Sequence, residues 1–204
     1  MKPMAERKIT LQKALPYILV LAGIIGIYCS FVLSIDKIKI LENPHFIPSC
    51  NLNPVLSCGD VMHSKQADVF GFPNPFIGLG AFSGVLVIGG AMLAGAKMKR
   101  WFWLVFEAGL ALGLAFAYWL LFESIYRIKA LCPYCLTVDV VMITISWYVT
   151  LYIFDQKHLP LPKGRWQTVY AWIRRHHLDI LIAWFLIVIA VILHHFWYYY
   201  GKHL

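Results

Sequence analysis

Cys132-Pro133-Tyr134-Cys135 and the wider pair Cys50 and Cys58 are the residues of this chain whose types and spacing can do chemistry. Two thiol pairs on one face of a membrane protein suggest a device that passes electrons from one pair to the other. A CxxC taken alone is ambiguous between a redox pair, half a zinc site and an accident. Its setting sharpens it. If Cys132 is a helix N-cap, Pro133 takes the first helical position, where its missing N–H costs nothing. The two sulfurs then lie three residues apart on one helical face. A helix N-terminus favours thiolate, the reactive form of cysteine. Cys50 and Cys58, eight positions apart in a polar loop, can close a small disulfide ring. A mobile loop can also carry one of them to Cys132. Exchange runs through a mixed disulfide, so the sulfurs must meet. Two alternatives stand beside this one. Both pairs can be static structural disulfides, although a membrane bundle needs no staples. The four thiols can hold zinc, but C-x7-C with C-x2-C is unlike the common zinc ribbons, and no metal is expected.

The elements that must position these thiols are membrane spans. The chain has 204 residues, 60% of them hydrophobic, and a mean hydropathy of +0.68. Five stretches are long and apolar enough to cross ~30 Å of hydrocarbon, at 14–35, 75–96, 101–122, 131–154 and 178–199. The first is too long for a signal peptide, and no small-residue cleavage site follows it. The net charge of +8 does not point to nucleic acid, because the basic residues fall in alternate loops. Lys2, Arg7, Lys8 and Lys13 precede the first span. Lys97, Lys99 and Arg100 separate the second from the third, and Lys157, Lys163, Arg165, Arg174 and Arg175 the fourth from the fifth. By the positive-inside rule the N-terminus is cytoplasmic. The loop 36–74, the connection 123–130 and the tail after Tyr199 then lie outside. Both cysteine pairs fall at that outer face, or at the ER lumen as its equivalent, where disulfides persist.

The chain reads as one integral membrane domain over 1–204, all-α, since only helices satisfy their own backbone in lipid. The first loop is rich in turns and has room for a short helix within 54–65. Gly78, Gly80, Gly84, Gly89 and Gly90 permit close packing of the second span. Trp197, Tyr198 and Tyr199 read as an interfacial belt. Asp139 is an ionisable residue inside a span, one turn below Cys135 on the same face, and so a functional candidate. Its bland alternative is a hydrogen-bonded Asp packed against Thr137. Glu107 reads as structural, Cys29 as a small buried hydrophobe, and His194-His195 as interfacial.

Cys50-x7-Cys58, then Ser64, then Asn74 before the second span, then Cys132-x2-Cys135 on the fourth resembles the vitamin K epoxide reductase family over about 18–151. The bacterial quinone-linked thiol oxidases are similar in logic, but they carry the CxxC in the first loop and the wide pair in the second. The order here is reversed. The resemblance implies five transmembrane helices: a four-helix bundle around a quinone, over about 14–154, and a peripheral fifth helix near 178–199. It implies that Cys132 and Cys135 are the quinone-facing pair, with Cys135 nearest the ring. Cys50 would meet a protein partner and Cys58 would link to Cys132. Ser64 would orient the reactive centre or cap a turn. Asn74 would hydrogen-bond a quinone oxygen or cap the second helix. The quinone would be of ubiquinone, menaquinone or vitamin K type.

Two departures matter. Vertebrate members have Tyr where this chain has Asp139, a candidate proton relay. Bacterial members with a fifth span often continue into a thioredoxin-like domain, whereas this chain stops at Leu204. The expectation is therefore a bacterial inner-membrane enzyme with a separate thioredoxin-like periplasmic protein as electron donor. It would pass electrons to quinone and so support disulfide formation. In an ER setting the same flow would reduce vitamin K or its epoxide. The competing class is a non-catalytic membrane scaffold or carrier with structural disulfides.

Overall fold

The computed structural model describes residues 4–160 and 164–201. Lys2, Lys163 and the last three tail residues lie outside them. Among the described residues eight α-helices run α1 Met4–Glu42, α2 Cys58–His63, α3 Pro75–Leu93, α4 Arg100–Glu123, α5 Pro133–Asp155, α6 Arg165–Arg175, α7 His177–His195 and α8 Trp197–Tyr200. No strand occurs among the described residues. Five helices are long and apolar enough to cross a membrane: α1 from Leu11, α3, α4 with its extension to Ile128, α5 and α7. The protein is an all-α membrane protein.

α3 packs on α1, α1 on α5 and α5 on α4. Leu15, Leu19, Val85, Trp103, Ile145 and Val149 fill the shared core. Glycine sets how closely α1 and α3 approach. A Cβ at Gly23 would stand 2.8 Å from the Leu86 Cα, and one at Gly89 would stand 2.9 Å from the Val20 backbone nitrogen. Gly78 does the same against Ser30, but Gly80, Gly84 and Gly90 face open space. The expected glycine seam on α3 is therefore narrower than its sequence suggests. The remaining side of the bundle, between α3 and α4, holds an apolar cavity of about 500 Å³ walled by Gly80, Gly84, Val105 and Gly109 among others. α7 lies outside the four, with few buried side chains. It is joined to them by Trp147 Nε1 donating to the His177 carbonyl at 3.2 Å and by Trp184 Nε1 donating to the Tyr118 hydroxyl.

Three boundaries differ from expectation, each for a reason of partnering. α1 continues to Glu42 rather than ending near 35, because Asp36 and Lys37 are buried in it and Lys37 is paired. The connection 123–130 is not a loose link. Ser124–Ile128 extends α4 as a π-helical turn, and Lys129 at φ 60° ends it. The basic segment after α5, a loop by its charge pattern, contains α6. Arg174 of α6 forms a buried ion pair with Asp155. The Tyr170 hydroxyl lies 2.8 Å from the same carboxylate and 2.9 Å from the Leu151 carbonyl, with its single proton shared between the two acceptors.

Candidate redox site

The first loop is built to hold Cys58 in register with Cys132. Asn53 Oδ1 accepts from the N–H groups of Val55 and Leu56 at 2.9 and 2.8 Å, the local turn that Asn-Pro favours. Val55-Leu56 then leaves the turn extended and pairs in parallel with Leu131. Leu131 N–H donates to the Val55 carbonyl at 2.7 Å, and Ser57 N–H to the Leu131 carbonyl at 2.9 Å. One residue after this bridge on one side comes Cys132, and two after it on the other comes Cys58. Each opens a helix. Ser57 caps α2, its Oγ accepting from Asp60 N–H at 3.2 Å. Cys132 caps α5, with Pro133 at the first helical position, as the spacing predicts, and its Sγ accepts from the Cys135 N–H at 3.3 Å.

Cys50 and Cys58 form a disulfide, while Cys132 and Cys135 carry free thiols. Cys50, Cys58 and Cys132 are buried in one apolar cluster with Leu33, Ile40 and Met62, and Cys135 packs against it. The loop pair thus already stands beside the helix pair. Apolar burial holds the segment down beside Cys132. Hydrogen bonding with Cys135 is the largest influence on the Cys132 thiol. Together with the N–H groups of Cys135 and Tyr134 it outweighs burial and holds the thiol below the ordinary cysteine range.

On the other side of the helix pair lies an apolar cavity of about 200 Å³. Cys132, Cys135, Asp139, Asn74 and Ser64 all line it, together with Lys37, so the candidate site residues beyond the loop pair meet there. Asp139 makes no hydrogen bond among the described residues. Thr137, its expected neighbour, donates instead to the Pro133 carbonyl at 3.0 Å. Asn74 precedes α3 without a side-chain cap bond. Its Nδ2 donates to the Gln66 carbonyl at 2.7 Å and its Oδ1 accepts from Val69 N–H at 3.3 Å. Ser64 Oγ donates to the Val61 carbonyl at 2.6 Å and closes α2.

Sequence reasoning missed Lys37. Its Nζ donates to the Met62 carbonyl at 2.6 Å and pairs with Asp68 at 2.8 Å, tying α1 to both ends of the segment over the cavity. A second tie runs from Gln66 Nε2 to buried Glu123 at 2.9 Å. Neither leaves a mark in spacing, because each joins residues far apart in the chain.

Two cysteine pairs meeting at one end of a helical membrane bundle, above an apolar cavity, is the construction of a membrane thiol–disulfide protein. Residues 17–150 match the model of the vitamin K epoxide reductase family, and the chain belongs to that family. No curated protein matches the sequence. Membership implies membrane thiol–disulfide oxidoreductase activity, in a family that is quinone-linked in general.

Proposed function

We propose that the protein takes electrons from a reduced thioredoxin-like partner at Cys50–Cys58, passes them to Cys132–Cys135, and delivers them to a membrane quinone, so that disulfides form in exported proteins. The observation that carries this is the single buried cluster joining Cys50, Cys58 and Cys132 beside a cavity that Cys132 and Cys135 also line. Structural disulfides alone give no reason for a CxxC to face a cavity.

The cavity residues fit a quinone. Its walls are mostly apolar, with Asp139, Asn74, Lys37, Ser64, Gln66 and the cysteines among the polar points, as a ring with two carbonyls requires. Ala81, Phe82, Gly113 and Met142 line both this cavity and the one between α3 and α4, a route for an apolar tail in the plane of the bilayer. When bound, the quinone supplies an acceptor for two electrons and two protons. The chain's residues do the rest. Two thiols of the partner become a disulfide as Cys50–Cys58 opens to two thiols. Cys58 then attacks Cys132 of the oxidised helix pair, and Cys50 closes the loop disulfide again. Cys132 and Cys135, now reduced, release two electrons and two protons into the cavity and close in turn. Asp139 takes or gives a proton at its carboxyl, one turn below Cys135. Ser64 and Asn74 hold the segment over the cavity. The active end faces outward from a bacterial inner membrane, with the N-terminus cytoplasmic.

The test uses the full chain in lipid nanodiscs with a short-chain quinone and a reduced dithiol donor. Quinol formation followed by absorbance should vanish for Ala at any one of the four cysteines while the folded protein is recovered. A scaffold with structural disulfides would instead lose stability and show no turnover to begin with.

A further inference from the structure

The segment between α1 and α2 has features that thiol exchange itself does not need. Its side chains alternate, with His45, Ile47 and Ser49 exposed and Pro48 and Cys50 buried, and it runs between two turns, closed by Phe46 N–H on the Asn43 carbonyl at 2.9 Å and by Asn51 N–H on the Pro48 carbonyl at 3.1 Å. Phe46 packs inward on the cysteine cluster, and Lys39 Nζ stands 5.2 Å from its ring centre, which holds the segment against the end of α1. Ile47 is 74% exposed and Leu52 67%, more than any other large apolar side chain outside the helices among the described residues. Both follow Lys39 and Glu42, the exposed charges that close α1. The N–H and C=O groups of Ile47 and Ser49 take no hydrogen-bond partner among the described residues. Cys50 lies between the two apolar side chains. It is 7% exposed against 0% for Cys58, so it is the half of the disulfide that an incoming thiol reaches first.

We propose that residues 45–52 are a docking segment for a thioredoxin-fold dithiol protein. Ile47 and Leu52 fill apolar sites on either side of the partner's reactive cysteine, and the Ile47 backbone pairs with an extended edge of the partner. The proposal rests on the electron relay described above and names the surface through which it is fed. The partner's thiolate attacks Cys50 Sγ, the Cys50–Cys58 bond breaks, and Cys58 leaves as a thiolate that takes up the partner's proton. The partner's second thiol then attacks the mixed disulfide and closes the partner's own disulfide. Cys50 is released as a thiol, and two electrons have moved to the loop pair.

The experiment compares two donors, reduced thioredoxin and dithiothreitol, on the wild-type chain and on Ile47→Ser/Leu52→Ser in nanodiscs with quinone. Wild type should oxidise thioredoxin faster per thiol than dithiothreitol. In the double variant kcat/KM for thioredoxin should fall about tenfold or more, the scale of losing interface anchors, while the dithiothreitol rate stays within about twofold. The proposal is overturned if wild type shows no preference for thioredoxin, if the two rates fall together, or if neither falls. The first of these would leave dithiothreitol-driven quinol formation intact. Absence of quinol from wild type with either donor would instead sink the relay itself.

Discussion

In the proposed relay Cys132 joins the two cysteine pairs, and its thiolate is the reactive form. Hydrogen bonding with Cys135 leads the influences that lower its pKa. A thiol whose folded pKa is depressed gives stability that is present above the ordinary cysteine pKa and is lost as pH falls through the lowered value. We therefore expect alkylation of Cys132 to rise with pH at a midpoint below that of a free cysteine. Cys135→Ala should move the midpoint up, since only the backbone donors remain. Measured on a chain with Cys29→Ala, the pH profile of labelling reads this directly, and an unmoved midpoint would assign the shift elsewhere. Asp139 raises a separate question. If it carries protons, Asp139→Asn should slow quinone reduction by about 10²-fold, the scale of general acid–base catalysis, and flatten its pH dependence. Quinone affinity should stay nearly constant. An unchanged pH–rate profile would retire the relay role without touching the four cysteines.

Between the residues and the bundle stand the elements that hold the loop down. Lys37 reaches from α1 to the Met62 carbonyl and to Asp68. Lys37→Met should leave the helices formed but loosen the segment that bears Cys58. Exchange between the two pairs should slow, and hydrogen exchange in 58–68 should rise while α5 stays protected. At the other end of the molecule, Arg174→Ala leaves the Asp155 carboxylate buried without its ion partner, which costs about 3–5 kcal/mol. Arg174→Ala with Asp155→Asn should recover much of that loss in thermal unfolding. These elements also mark where the sequence stops being readable. The N-cap at Cys132 and Pro133 was legible because capping is local. The short helix within 54–65 was legible for the same reason, since Ser57 caps it three residues after Asn53-Pro54. The extension of α1 was not, because the charges of Asp36 and Lys37 look like a span's end until a distant Asp68 is known to pair with one. α6 was hidden by its own arginines, which signal a cytoplasmic loop as readily as a docked helix.

At the scale of the whole molecule, the arrangement of basic segments predicts an outward-facing active end. A membrane-impermeant thiol reagent applied to intact cells after reduction should label Cys50, or Cys58 once the loop opens. Labelling confined to inverted vesicles would reverse the topology. The spans were plain in the sequence, as hydropathy over some 20 residues is hard to mistake. The cleft between α3 and α4 was not, because glycines that permit close packing do not say which of them meets a neighbour. What aligns the whole assembly is smaller than any of these parts. The Leu56–Leu131 bridge consists of two backbone hydrogen bonds, which exclude proline at Leu131 and Ser57 and otherwise ask only that Val55 and Leu131 stay apolar in their buried cluster. The meeting of the two cysteine pairs is thus written in the count of residues rather than in their kind. Conservative replacement of Val55, Leu56 or Leu131 should be tolerated, but a single residue inserted between Leu56 and Cys58, or between Leu131 and Cys132, should swing one sulfur away from the other. Tolerance of exchange together with intolerance of insertion is the behaviour to look for when this segment is engineered.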